Sequence, residues 1–228
     1  MNSLTSGPVA ATLKRLHQEA EDADREHVAA FMALLEEPEA TMSTVIAKVL
    51  ATEHDYRANA ARNVERFLAV SPAYGRFLYM TARACKAKRV VEFGTSMGIS
   101  TLYLAAALRD NGGGRLVTAE LQHDKVLRAR ANLKVAGLDD LVEIREGDAL
   151  ETLAQLDADI DLLLMDGAIP LYLQVLKVVE PHLRSGSVVL AENAFDTGYL
   201  DHVRDRAGHY LSQPLPDAQR GNEFSLRL

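Results

Sequence analysis

Between residues 12 and 36, Leu13, Leu16, Ala20, Ala23, His27, Phe31 and Leu34 recur at three- and four-residue steps and draw one apolar stripe, as an amphipathic helix would. Pro38 closes that element or opens the next. Met42, Val45, Ile46, Val49 and Leu50 repeat the rhythm, as do Tyr56, Ala60, Val64, Phe67 and Leu68. Ser71-Pro72 then reads as a helix start, with serine as cap and proline in the first turn. Stripes of this kind must be covered by the following domain or by a second subunit. The expectation is a helical segment over residues 1–70, acting as an active-site cap, a homodimer interface or both, followed by the main domain over 71–228.

From residue 88 the rhythm changes. Arg89–Phe93, Arg115–Glu120, Val142–Gly147, Ile160–Met165 and Ser187–Ala191 each suit a buried strand, and helical patterns lie between them at 98–110, 124–136, 149–156 and 171–184. Strict alternation of this sort predicts a doubly wound α/β domain with a mostly parallel sheet and helices on both faces. At the end, His209–Gln213 and Glu223–Leu228 flank the turn-rich Pro214-Leu215-Pro216-Asp217. They predict a hairpin that adds an antiparallel edge.

Composition narrows the partners. The 228 residues are 48% hydrophobic with a net charge of −7, enough for a sizeable core and without the basic footprint of a nucleic-acid binder. A small molecule is the easier ligand. The one cysteine, Cys85, cannot form an intramolecular disulfide. Met1 is followed by polar residues, and no apolar run approaches the ~20 residues that span a bilayer. A cytoplasmic protein with no membrane partner is expected.

The chemistry concentrates in Glu92-Phe93-Gly94-Thr95-Ser96-Met97-Gly98, where the first predicted strand passes into a helix. Ligands of open α/β sheets bind at the carboxyl ends of strands, so the run has a suitable address. A nicotinamide fingerprint needs three glycines as G-x-G-x-x-G, whereas this run has only Gly94 and Gly98 with three residues between them. Glu92 would repel a pyrophosphate but suits the ammonium group of an amino acid. Ser96 and Ser100 add hydroxyls suited to a carboxylate. An amino-acid tail therefore fits better than a diphosphate. Glu120 ends the second predicted strand, 26 residues after Gly94, where an acid accepts ribose hydroxyls. Asp148 ends the third and suits an adenine amino group. Each acid alone also reads as a solvated strand end or a helix cap; their order at successive strand ends favours a nucleoside.

At these residues the chain resembles the class I methyltransferases, specifically the small bacterial O-methyltransferases related to catechol and caffeoyl-CoA O-methyltransferases. The resemblance runs from about Ser71 to the carboxyl terminus and is most specific over Val90–Ala107. Asn111-Gly112-Gly113-Gly114, Gly147-Asp148-Ala149 and Asp166-Gly167 also stand where that family has them. It implies a Rossmann-like sheet of seven strands with a reversed last strand. It implies S-adenosylmethionine as cofactor, contacted by Glu92, Gly94, Ser96, Gly98, Ser100, Glu120, Asp148, Ala149 and Asp166. It further implies a magnesium site on Asp166, Glu192 and Asn193, with Asp166 and Asn193 as the catalytic pair.

Two departures bear on the reaction. Glu192-Asn193 stands where the family has Asp-Asn, which lengthens one ligand by a methylene. Ile169 stands where the family places a lysine base, three residues after Asp166, and isoleucine cannot accept a proton. The expected reaction is metal-assisted O-methylation of a small catechol-like or vicinal-diol acceptor. Its rivals are a metal-independent N- or O-methyltransferase and a cofactor-binding protein without transfer. His27 and His202 read as packing and surface positions, and Tyr172 fits helix packing as well as a site.

Overall fold

The computed structural model describes residues 2–216 and 221–228, so Asp217 of the predicted turn lies outside the described residues. Five strands, β1 (Arg89–Phe93), β2 (Arg115–Glu120), β3 (Val142–Glu146), β4 (Ile160–Met165) and β5 (Leu183–Ala191), run parallel. The last two, β6 (Tyr210–Pro214) and β7 (Glu223–Arg227), form the expected hairpin, and β7 pairs antiparallel with β5. The order across the sheet is β3-β2-β1-β4-β5-β7-β6. The order in which strands are laid down reverses between β1 and β4, so the carboxyl ends of the five parallel strands open onto one crevice.

Both faces of the sheet are covered, and alternation along each strand decides which side chain goes where. Val90, Leu116, Leu162, Leu164, Val188 and Leu190 join one core, while Val91, Val117, Leu163, Met165, Val189 and Ala191 join the other. In β4 all of Leu162–Met165 is inaccessible, the uninterrupted apolar run of a strand covered twice. The first core is closed by α1 (Gly7–Ala23), α5 (Pro72–Ala84), α6 (Ile99–Asp110) and α7 (His123–Ala136). The second is closed by the one-turn α8 (Ala149–Thr152), α9 (Tyr172–Val179) and α10 (Thr197–Arg204). Three further helices, α2 (Arg25–Leu35), α3 (Met42–Glu53) and α4 (Tyr56–Arg62), lie over the crevice. Among the described residues no helix is long and apolar enough to cross a membrane.

Several boundaries differ from the pattern, each for a local reason. The stripe over 12–36 is two helices, broken at Asp24, whose buried carboxylate accepts the backbone N–H of Phe67 at 2.9 Å. A tertiary acceptor at the joint outweighs the continuous periodicity. The stripe over 56–68 stops being helical at Arg62, and Leu68 takes a left-handed φ of 48°. The helix expected over 171–184 gives way at Val179, just before Pro181, which lets β5 begin at Leu183. α10 is only eight residues long, too short for its buried positions Tyr199 and Val203 to repeat into a readable period. Its start is set by Asp196, which accepts the Tyr199 N–H at 2.5 Å.

Candidate active site

The turn from β1 into α6 depends on positive φ at Gly94 (103°), Ser96 (46°) and Gly98 (88°). A Cβ on Gly94 would fall 2.3 Å from the backbone oxygen of Asp166, so the turn lies directly on the end of β4. Gly98 faces α7 rather than the strand: a Cβ there would sit 3.4 Å from that of Ala129. Glu92, just before the turn, is wholly buried. Its Oε2 accepts the hydroxyls of Thr101 (2.6 Å) and Thr118 (2.7 Å), while Oε1 is buried with no partner among the described residues. Burial pushes its pKa up, and the hydroxyls of Thr101, Thr118 and Ser100 draw it part of the way back. A buried carboxylate with one orphaned oxygen is costly unless a cationic donor meets it.

Glu120 is set differently. Its Oε2 accepts the N–H of Ser96 at 2.8 Å and its Oε1 that of Gln122 at 2.9 Å, which aims the carboxylate along the cavity wall with lone pairs to spare. The Ser96 hydroxyl is already committed, donating to the Phe67 carbonyl at 2.6 Å and accepting from Lys125 Nζ at 3.2 Å. Sequence reasoning missed Lys125, a buried ammonium on the same wall whose pKa burial lowers. Its signal was weak, a lone lysine one turn into a helix. Ser100 and Ala149 also line the cavity. Asp148 caps α8 by accepting the Leu150 N–H at 3.0 Å. Its other oxygen accepts the Tyr56 hydroxyl at 2.6 Å and Arg57 at 2.5 Å, which ties α4 to the end of β3.

On the opposite side stand the residues after β4 and β5. Asp166 lines the cavity, and its N–H donates to the Phe93 carbonyl at 2.9 Å. Its carboxyl hydrogen-bonds that of Glu192, and loss of solvent and this second acid push its pKa well above the usual range. Glu192 is buried behind it, with its backbone carbonyl accepting the Tyr172 hydroxyl at 2.7 Å. Asn193, with a φ of 50°, lines the cavity and is fixed by its N–H donating to Asn222 Oδ1 at 3.0 Å. The Asp166 and Glu192 carboxyls thus meet at the ends of β4 and β5, and Asn193 lines the same cavity as Asp166. Among the described residues no three His, Cys, Asp or Glu side chains come together as a metal cluster.

The walls enclose a cavity of about 630 Å³. Its roof is apolar and comes from α2 and α3: Val28, Phe31, Met32, Met42, Ile46 and Leu50 among others. One acid interrupts that roof. Glu53, the last residue of α3, is half-buried on the cavity wall, and the backbone N–H of Ile169 donates to its carboxylate. It continues the stripe through Ile46, Val49 and Leu50, and an acid on an apolar stripe was the available signal. His27 lines the cavity with Nδ1 3.0 Å from Arg66 Nη1; burial, helped by that guanidinium, lowers its pKa. His202 instead pairs with Glu180 at 3.0 Å and is not on the cavity wall.

The seven-stranded order, with its antiparallel last pair, is a Rossmann-like fold shared with O-methyltransferases of known structure. The family model described as methyltransferase domain matches residues 91–194. Over 135 residues the chain is 35% identical to a catechol O-methyltransferase of Niastella koreensis, 58% of this chain and 60% of that one. Over 132 residues it is 36% identical to a catechol O-methyltransferase of Mycobacterium tuberculosis, 58% of this chain and 59% of the other. The match thus spans about 60% of the length of these curated relatives. Among solved structures, the O-methyltransferase TomG of Streptomyces achromogenes, in complex with S-adenosylmethionine, is similar with a TM-score of 0.63 and 27% identity, covering 92% of this chain and 98% of that one. An O-methyltransferase of Bacillus cereus shares the fold at 22% identity and a TM-score of 0.65, over 88% of this chain and 97% of that one. Residues 91–194 are thus similar to a methyltransferase domain, and the chain shares its fold with O-methyltransferases of known structure.

Proposed function

We propose that this protein is an S-adenosylmethionine-dependent methyltransferase that methylates a hydroxyl of a small, catechol-like acceptor. The observation that carries the reading is the continuity of the 630 Å³ cavity, which runs from the Gly94 turn and Glu120 to Asp166 and Asn193 beneath an apolar roof. That volume suits a nucleoside cofactor with a compact acceptor beside it. The names of the catechol O-methyltransferase relatives and the cofactor in the TomG structure support it.

The chain's own residues fit that cofactor. Glu92 is buried behind the cavity lining, where its orphaned Oε1 would balance the charge of an ammonium group, and the two oxygens of Glu120, on the cavity wall, would accept a pair of hydroxyls. Gly94 leaves room for a close approach at the sheet edge. When bound, S-adenosylmethionine supplies an electrophilic methyl group. Asp166 and Asn193 orient the acceptor oxygen, and the roof keeps water out. Positioning of this kind supplies ~7–11 kcal/mol of a displacement barrier. Asp166, Glu192 and Asn193 have the oxygen chemistry that a hard cation such as magnesium prefers, and they would hold it. A divalent ion there would lower the pKa of the acceptor hydroxyl.

The reading is tested by incubating the protein with methyl-labelled cofactor and a panel of catechols, with magnesium or with EDTA. Transfer to catechol that EDTA suppresses is expected. Undiminished transfer in EDTA would remove the metal and leave a metal-independent methyltransferase. Tight binding of S-adenosylhomocysteine by calorimetry, with no transfer to any acceptor, would leave only a cofactor-binding protein.

A further inference from the structure

Isoleucine at position 169 leaves the crevice without a lysine base three residues after Asp166, yet the same turn carries a proton acceptor from elsewhere in the chain. The backbone N–H of Ile169 donates to the carboxylate of Glu53, which closes α3 and faces the cavity. We propose that Glu53 is the general base of the methyl transfer, its carboxylate taking the proton of the acceptor hydroxyl at the Ile169 turn. The inference rests on the methyltransferase reading above and adds a catalytic residue to it.

Three observations single out Glu53. The first is its place: the α3 stripe through Ile46, Val49 and Leu50 carries the carboxylate onto the wall shared with Ile169 and Asp166. The second is availability. Every other acid on the cavity wall is engaged: Glu120 by two backbone N–H groups, Asp148 by Tyr56, Arg57 and the Leu150 N–H, and Asp166 by Glu192. Glu53 has no salt bridge among the described residues, and one backbone N–H leaves most of its lone pairs open. The third is its environment, since partial burial pushes its pKa up and makes it a stronger base than an exposed glutamate. The other titratable groups on the cavity walls are His27 of α2, Tyr56 of α4, Glu120, Lys125 of α7, Asp148, Asp166 and Tyr172. Of these His27 is bonded to Arg66 and Tyr172 donates to the Glu192 carbonyl.

The step balances without a further reactant. The acceptor O–H proton passes to a Glu53 carboxylate oxygen, and the electron pair left on the acceptor oxygen forms the new bond to the methyl carbon. The bond from that carbon to the sulfonium sulfur breaks, and its electrons stay on sulfur, leaving a neutral thioether and a protonated Glu53 that returns its proton to solvent.

A purely structural Glu53 would only pin α3 to the Ile169 turn, and Glu53→Gln separates the two roles because its amide oxygen still accepts that N–H. For the wild type, a general base worth about 100-fold or more predicts that Glu53→Gln loses kcat by that factor. The KM for the cofactor should stay unchanged, and the acid limb of the pH–rate profile should vanish. Glu53→Asp should keep the acid limb at a reduced rate. Binding gives a readout without turnover: calorimetry of catechol binding to the S-adenosylhomocysteine complex, from acid to neutral pH, should carry one ionisation in the wild type that Glu53→Gln lacks. Glu53→Gln with kcat within about threefold of wild type, and the same ionisation in its binding profile, overturns the proposal. If the wild type transfers no methyl group, the binding profile still decides whether Glu53 meets the acceptor, and the silence counts against the transfer reading alone.

Discussion

Gly94, Glu120 and Asp166 stand at the ends of strands whose neighbouring side chains are fully buried, whereas Phe31, Ile46 and Glu53 stand on helices of which α2 buries none of its residues and α3 buries only Val45. The first wall of the cavity is held by the sheet register and by backbone hydrogen bonds at Ser96, Gln122 and the β4 end. The roof is held by a few side-chain ties, chiefly Tyr56 and Arg57 to Asp148, Asp24 to Phe67, and Glu53 to Ile169. On the proposed reading the first wall binds a nucleoside, and it gains from rigidity because its groups are in place before the ligand arrives. On the same reading the roof admits and releases the acceptor, as suits helices with few buried side chains. The polar precision lies on one side of the cavity and the adaptable apolar surface on the other.

The largest effect expected from breaking this contrast is at Gly94. Gly94→Ala places a methyl 2.3 Å from the Asp166 carbonyl at a φ of 103°, so the turn must leave β4. Calorimetry should find S-adenosylhomocysteine affinity down by about 100-fold or more, with a lowered melting temperature. Affinity within threefold of wild type would show that the first wall yields as readily as the roof.

Glu92→Gln comes next and should divide binding from stability. The variant is expected to lose about tenfold in cofactor affinity, since a charge-assisted bond to ammonium is replaced by a weaker one. The unliganded protein should be as stable as the wild type or more so, because an orphaned buried carboxylate is gone. Burial raises the Glu92 pKa above its usual 4.5, so just above pH 4.5 the native state keeps a proton that the unfolded chain has released. Stability from this group therefore falls as pH rises through that window. Glu53 and Asp166 are shifted the same way. Urea melts between about pH 4.5 and neutrality should show the decline in the wild type and a shallower one in Glu92→Gln. Equal slopes would place the Glu92 carboxylate outside this account.

The smallest effect is expected at the roof. Tyr56→Phe removes one of the two ties to Asp148 and leaves Arg57 in place. The KM of the acceptor should rise a few-fold with the cofactor affinity nearly unchanged, and amide exchange should quicken in α4. An equal loss of both affinities would mean that the roof and the cofactor wall move as one body.

The strands were legible because a doubly covered parallel sheet needs short apolar runs, and the runs at Arg89–Phe93, Arg115–Glu120 and Ile160–Met165 coincide with β1, β2 and β4. The glycine turn was legible because only glycine takes its backbone angles cheaply, although Ser96 shares a positive φ that no pattern announced. The roof was harder to read. Its stripes gave away helices, but the breaks at Asp24 and Arg62 come from tertiary partners and a backbone turn that periodicity does not encode.

What the chain order determined alone is therefore the alternation of strands and helices, the reversed hairpin and the address of Glu92 to Gly98, since each follows from local period and local backbone freedom. Tertiary structure decided which side chains share a space: Asp166 against Glu192, Tyr56 and Arg57 on Asp148, Lys125 beside Ser96, and Glu53 on the N–H of Ile169. These pairs join residues distant along the chain, and the energy of each depends on burial and on who its neighbours are. An isoleucine where a base was expected reads as a loss in one dimension; in three, a glutamate 116 positions earlier stands at the same turn.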